Sequence, residues 1–422
     1  MNILTIKSLN INGEGISYLD DKKYVVNDVL PNEEVLIEII TQKNNFVGAK
    51  LQEIKRPSPY RQLPPCKYYG ICGGCNKMNV NYKACLELKK QVIKEYFADF
   101  YQGEILVFES KNQLNYRNKV SFFVKGNLIG LQKRNSNEIV EIDKCLVANS
   151  LINKTFSICK HYLSKINNDQ IHHIVVRALD NCVLLSVVCK DKKPQKLDLL
   201  VDYLTKELDQ KFGLYINYNN NPKKILSEKW EHICGLTCLE GKYKDMRYFV
   251  KPYSFLQIND QVKEIMYERV LSKIDNQVVI EGYSGAGLLS CIMSKKAKQV
   301  YGIEIAKSAT LDAELTKKVN NITNLINING DISVVLPKLV KKHKASTFVI
   351  DPPRSGCSKI VLDIIKDCKP SKIIYISCNP YTLKQNLGYL KDDYEVESFE
   401  IFDIFPQTFD IESMVELKIK KK

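Results

Sequence analysis

At 422 residues, with 45% hydrophobic and 26% charged residues, the chain has the composition of a folded protein of about two to four domains, which excludes a disordered or fibrous one. Lys+Arg 62 against Asp+Glu 48 gives a net charge of +14 with no single long basic block, a spread excess that suits a polyanion such as RNA. No run approaches the about 18 apolar residues of a membrane span, and the first residues lack a signal-peptide pattern, so the expected location is the cytoplasm, with no membrane partner.

Residues 1 to about 55 alternate apolar and polar side chains in short runs, with Gly13-Glu14-Gly15 and Leu30-Pro31-Asn32 as turns. That pattern predicts a small β-barrel of the OB type over residues 1–58, with Lys22, Lys23, Lys43 and Lys50 available to phosphates. Arg56-Pro57-Ser58-Pro59 reads as the linker that closes it.

Residues 59–250 form the second expected unit. Cys66-x5-Cys72-Gly73-Gly74-Cys75 packs three thiols into ten residues, and the two glycines let the backbone wrap closely. Among the fourteen cysteines of a chain kept under reducing conditions, such a cluster reads as a metal site rather than a disulfide framework. Three clustered thiols plus a distant one fit a [4Fe-4S] cluster better than a zinc ribbon. On spacing alone the fourth ligand is either Cys85 or Cys145. A helical pattern follows over residues 83–100, extending to about 105, that can pack on the last domain. Several strand-like runs come next, and Asn115-Tyr116-Arg117-Asn118-Lys119 pairs an aromatic ring with cations in a way that suits RNA contact. The five histidines show no ligand spacing.

Residues 251–422 carry a clear α/β pattern, predicted to form a Rossmann-like sheet. Val278 to Glu281 runs into the glycine turn 282–287, and the strand at Val300 ends in Glu304, 19 residues after Gly285. An acidic residue at that distance typically holds ribose hydroxyls. Ser290 stands where the third glycine of a pyrophosphate fingerprint would be, which favours S-adenosylmethionine over NAD. Asn329-Gly330-Asp331 ends a third strand within reach of an adenine. Two further runs, Phe348 to Ile350 and Ile373 to Ile376, end in Asp351-Pro352-Pro353-Arg354 and Ser377-Cys378-Asn379-Pro380. Working residues of such sheets lie just past the carboxyl ends of the strands, so an aspartate and a thiol are expected at one edge.

These motifs, in this order and over essentially the whole chain, resemble the RNA (uracil-5-)-methyltransferases that carry a TRAM domain and an iron–sulfur cluster. The resemblance rests on the four-cysteine set with Cys145, on Tyr116-Arg117-Asn118-Lys119, Phe255-Leu256-Gln257-Ile258-Asn259 and Tyr283-Ser284-Gly285-Ala286-Gly287. Asp351-Pro352-Pro353-Arg354-Ser355-Gly356, Ser377-Cys378-Asn379-Pro380 and Phe405-Pro406-Gln407-Thr408 with Glu412 complete it. It implies Cys66, Cys72, Cys75 and Cys145 as cluster ligands, Gln257, Tyr283, Glu304 and Asp351 as S-adenosylmethionine contacts, Cys378 as nucleophile and Glu412 as base. It further implies a monomer acting on RNA, with 23S rRNA favoured over tRNA. Two departures stand out: Glu281 where relatives commonly have Asp, and Asp410 where they usually have His. A strand through this segment would turn Asp410 and Glu412 to the same face. A non-catalytic iron–sulfur RNA-binding protein would need neither Cys378 nor Glu412.

Overall fold

The structure is a computed structural model and describes residues 2–209, 211–221, 224–343 and 347–421. Three large sheets organise the described residues, beside a two-stranded hairpin of Leu239–Tyr243 and Met246–Val250. The first has six strands in the spatial order Asn2–Thr5, Glu34–Lys43, Phe46–Arg56, Lys22–Val26, Gly15–Leu19, Ser8–Leu9. Register shifts bend its long hairpin, and Ser17 Oγ–H donates to Thr5 O at 2.7 Å, so the sheet curls until its first strand lies beside Gly15–Leu19. Alternate side chains, among them Leu4, Val26, Val35, Ile37 and Val47, fill the inside.

The second sheet has seven strands, from Ile139–Glu141 at one edge to Trp230–Gly235 at the other. The helices Ser150–Leu163 and Leu197–Leu208 bury Phe156, Tyr162, Leu200 and Leu204 in its core.

The third sheet, of eight strands, runs in the order Leu325–Asn329, Gln299–Glu304, Val278–Gly282, Thr347–Ile350, Lys372–Ser377, Glu412–Ile419, Tyr394–Phe402, Ile105–Phe108. The first five are mutually parallel, as their strand–helix alternation requires. Glu412–Ile419 then runs antiparallel to both of its neighbours, with Ser377 opposite Ser413. An antiparallel strand begins where its parallel neighbours end, and that register carries Glu412 to the edge where Cys378 emerges.

Two parts of the chain depart from the sequence expectation. The helix near residue 83 covers Tyr82–Tyr96 only, and the following Ile105–Phe108 is a strand that extends the third sheet alongside Tyr394–Phe402. The helix buries Val92, Ile93 and nearby Phe97 against Phe399 in the same core. Asp410 does not lie on a strand: it is exposed in the loop before Glu412, so the two carboxylates do not share a strand face.

Candidate active site

The edge at the carboxyl ends of the parallel strands collects Tyr283, Glu304, Asp351 and Cys378 from four separate segments and Glu412 from a fifth. Tyr283 follows Val278–Gly282 and takes φ 63°, and Gly285 and Gly287 take φ 54° and 73°, so the turn is tightly wound. A Cβ at Gly287 would meet Ala313 Cβ at 2.5 Å, which excludes any larger residue there. Glu304 ends the next strand and accepts from Gly285 N–H at 2.9 Å and Ala306 N–H at 2.7 Å. These two bonds aim its carboxylate at the turn and leave remaining lone pairs for a ligand's hydroxyls. Asn329, by contrast, donates to the carbonyls of Glu304 and Ile305 at 3.0 Å each.

Ser290, at the missing third glycine, has a role of its own: its hydroxyl donates to the buried Glu281 carboxyl. Burial pushes Glu281 up to about 8, opposed by that hydrogen bond. Gln257 is buried, and its backbone carbonyl accepts from Asn118 Nδ2 at 3.0 Å. Asn259 caps the helix Asp260–Ser272 by accepting from Val262 N–H.

Asp351 follows Thr347–Ile350, and burial raises its carboxyl above the ordinary range. Cys378 follows Lys372–Ser377. Burial, with the Glu412 and Asp351 charges, pushes its thiol up to about 11, while Arg354 opposes them by charge and by a hydrogen bond to the sulfur. Glu412 is 2% exposed, and one of its carboxylate oxygens is buried without a hydrogen-bond partner. Burial raises it well above the usual carboxylate value, Asp351 and Asp410 raise it further, and Arg354 draws it down. An unpartnered buried carboxylate oxygen beside a thiol is costly for folding alone.

Sequence reading named the Asp351-Pro-Pro-Arg motif but gave Arg354 no role. Its backbone carbonyl accepts from Asn379 Nδ2 at 2.7 Å and Thr382 Oγ1 at 3.2 Å. Asn379 also caps the helix Pro380–Leu390, so the residues that follow Cys378 hold the arginine loop. An arginine between two proline-stiffened residues and a cysteine turn is the signal that could have found it.

The thiols of Cys66, Cys72, Cys75 and Cys145 line one cavity of about 390 Å³, together with Arg117 and Lys119. Cys85 is not among the lining residues; it is buried on the helix Tyr82–Tyr96 beside Lys89 and Lys77. Burial and mutual repulsion raise Cys72 and Cys75. Burial also raises Cys145, tempered by the backbone N–H groups of Ala148 and Val147 and by the charge of Arg117. Gly74 N–H donates to Cys72 Sγ at 3.4 Å. Among the described residues no group of three His, Cys, Asp or Glu side chains is gathered tightly enough for one metal ion. The expected RNA-contact motif turns inward: Tyr116 and Asn118 are buried, and burial lowers Lys119 to about 8. It therefore builds the wall between the thiol cavity and the Gln257 loop rather than an exposed RNA surface.

A family model described as tRNA (Uracil-5-)-methyltransferase matches residues 81–333 and 336–420. The chain belongs to this family. Among similar proteins, an uncharacterized RNA methyltransferase of Caldanaerobacter subterraneus subsp. tengcongensis is 33% identical over 97% of this chain and 96% of its own. One from Clostridium tetani is 31% identical over 98% and 95%. The solved structure of the Pyrococcus abyssi tRNA (uracil-54, C5)-methyltransferase with S-adenosyl-L-homocysteine superposes with a TM-score of 0.81 at 22% identity. That match covers 99% of this chain and 100% of the other, and shows a shared fold. The protein is an RNA (uracil-5-)-methyltransferase. Among the described residues no helix is long and apolar enough to cross a membrane.

Proposed function

We propose that the protein methylates carbon 5 of a uridine in RNA with Cys378 as nucleophile and Glu412 as the final base. The observation that carries this reading is the meeting of Cys378 with the buried, unpartnered Glu412 oxygen at one sheet edge. Carbon 5 of uracil is too weak a nucleophile to be methylated directly. Addition of the Cys378 sulfur to carbon 6 makes carbon 5 electron-rich. After methylation the C5–H electron pair forms the C5=C6 bond, the proton passes to the Glu412 carboxylate, and the C6–S bond breaks to return the thiolate. Arg354 favours the ionised thiol and carboxylate, and the proline-stiffened loop holds it there. The target base must leave its stack to reach this edge.

Gln257, Tyr283, Glu304 and Asp351 would hold S-adenosylmethionine, which the tightly wound turn and the Glu304 carboxylate suit. When bound, it supplies an electrophilic methyl group and a positive sulfonium. Cys66, Cys72, Cys75 and Cys145 would hold a [4Fe-4S] cluster. The fit rests on four thiols around one cavity, N–H donors aimed at two sulfurs, and a nearby arginine. A single zinc would need all sulfurs at about 2.3 Å, a tighter set than this one. Such a cluster would cross-link residues 66–75 to residue 145.

We read the curled N-terminal sheet as a TRAM barrel over residues 1–58, followed by an iron–sulfur unit over 59–250 and the methyltransferase unit over 251–422. Tyr18 and Phe46 are exposed on it near Lys22, Lys23 and Lys43, a surface suited to stacking on bases and pairing with phosphates. The resemblance to TRAM-bearing iron–sulfur enzymes makes 23S rRNA the substrate we favour, for an enzyme acting as a monomer. The name of the family and the likeness in fold to the Pyrococcus abyssi tRNA methyltransferase favour tRNA as the second reading. Methyl transfer from labelled S-adenosylmethionine to unmodified 23S rRNA and to unmodified tRNA transcripts decides it. Formation of 5-methyluridine only in tRNA overturns the rRNA reading, and labelling of neither overturns both.

A further inference from the structure

Glu412 is delivered by residues 403–411, a loop without helix or strand whose anchors come largely from outside the catalytic sheet. Gln407 takes φ 70°, a conformation a non-glycine residue keeps only when its surroundings impose it. Its carbonyl accepts from the backbone N–H groups of Asn76, at 3.2 Å, and Lys77, at 3.0 Å. Asn76 Oδ1 in turn accepts from Phe409 N–H at 2.9 Å. Tyr116 O–H donates to Pro406 O at 3.0 Å. Lys89 Nζ donates to Asp410 O at 2.9 Å and pairs with Asp403 at 2.7 Å, both ionic side chains being 1% exposed. Lys77 Nζ donates to Gly13 O at 2.7 Å and lies 5.6 Å from the centre of the Phe409 ring. The N-terminal sheet, the thiol segment and the helix Tyr82–Tyr96 therefore all meet on the few residues that precede the base.

We propose that Asn76, the residue after Cys75, is a positioning residue for Glu412, acting through residues 407–409 on the deprotonation that frees the product. This rests on the functional reading above. Asn76 binds the loop with its backbone N–H and with its side chain, so the thiol segment and the entry to the Glu412 strand move as one piece. Loosening that joint misplaces the carboxylate, while Cys378 keeps its own anchors, Asn379 and the Arg354 loop. The methylation step is spared. The later step is not: the transfer of the C5 proton to Glu412, with re-formation of C5=C6 and expulsion of the Cys378 thiolate.

The test uses the full-length enzyme, substrate RNA and methyl-labelled cofactor in single turnover, following methyl transfer and loss of the covalent protein–RNA adduct separately. Asn76→Ala should transfer methyl within about twofold of wild type and resolve the adduct about tenfold more slowly, so the adduct accumulates on denaturing gels. Asn76→Asp, which keeps the acceptor for Phe409 N–H, should restore resolution. Iron and sulfide per chain should equal wild type in both. Transfer and resolution falling together, neither changing, or failure of the Asp variant to rescue would each overturn the proposal. Should Asn76→Ala lose iron, Tyr116→Phe removes only the hydroxyl that holds Pro406, and must slow resolution without slowing transfer; equal slowing of both steps overturns the idea. Parallel Cys378→Ala and Glu412→Gln reactions separate the two levels. If these behave as the functional reading requires and Asn76→Ala resolves the adduct normally, only the positioning role fails.

Discussion

The catalytic edge and the thiol cavity both gather acids that lie far apart in sequence, and in both burial raises those acids above their ordinary values. They are built differently. At the edge, the parallel strands and one antiparallel strand bring Asp351, Cys378 and Glu412 together as a consequence of sheet register, and Arg354 stands by as the cation. In the cavity, the thiols come from loops, and what holds them is backbone contact, such as Gly73 N–H to Gln132 O at 3.0 Å and the Cys72 bridge to Lys133. The edge is tied by strand pairing on both sides of Glu412–Ile419. The cavity concentrates thiols that burial and mutual repulsion hold protonated, and a bound cationic centre would favour their ionised forms. A charged group pushed up by burial marks a site in either case, but only topology says whether the site precedes its ligand.

The largest effect that sharpens the contrast is at the edge. Cys378→Ala should lower methylation by roughly 10⁴-fold or more and leave no covalent RNA adduct, with the fold intact by circular dichroism. Residual adduct formation would move the nucleophile elsewhere. Glu412→Gln comes next: multiple turnover should fall roughly 10²- to 10⁴-fold while a methylated adduct accumulates. Asp410→Asn should turn over almost normally, because that side chain is exposed and off the strand. A trapped adduct with Asp410→Asn and none with Glu412→Gln reverses the assignment.

The cavity should respond in stability rather than in chemistry. Cys145→Ser should strip iron and sulfide from anaerobically purified protein and lower its melting temperature, whereas Cys85→Ser should keep both, and with them the brown colour. A colourless wild type carrying one zinc breaks the comparison altogether. A smaller effect is expected from Arg354→Met. Without the guanidinium the Cys378 thiol rises further, so its alkylation, followed by peptide mapping, should slow by about three- to tenfold at pH 8 and shift to higher pH.

The last effect concerns Glu281 and is read in stability rather than in activity. Its folded-state value is pushed from 4.5 to about 8, so below 4.5 both folded and unfolded chains hold the proton and its contribution to stability is complete. As pH rises toward about 8 the unfolded chain loses that proton first, and the contribution drains away. Glu281→Gln should flatten this part of the ligand-free stability profile, by no more than about 1.4 kcal/mol per pH unit, the value for one proton.

Much of this was legible in the residues themselves. Apolar runs ending in Glu304, in Asp351-Pro-Pro-Arg and in Ser377-Cys378-Asn379-Pro380 are local signals, because strand, turn and helix cap are all written within a few residues. The clustered thiols were legible for the same reason. The choice between Cys85 and Cys145 was not, because spacing along a chain says nothing about which loop folds back. Tertiary structure puts Cys145 on the cavity and buries Cys85 on a helix. Nor could pattern tell that Tyr116-Arg117-Asn118-Lys119 faces inward, since an aromatic among cations suits RNA and a buried wall equally well. The reversal of Glu412–Ile419 sets Glu412 beside Cys378 across some tens of residues, and the ties from Asn76, Tyr116 and Lys89 to the loop before it span about three hundred. Those relations are properties of pairing and packing between distant segments, and only the folded chain could decide them.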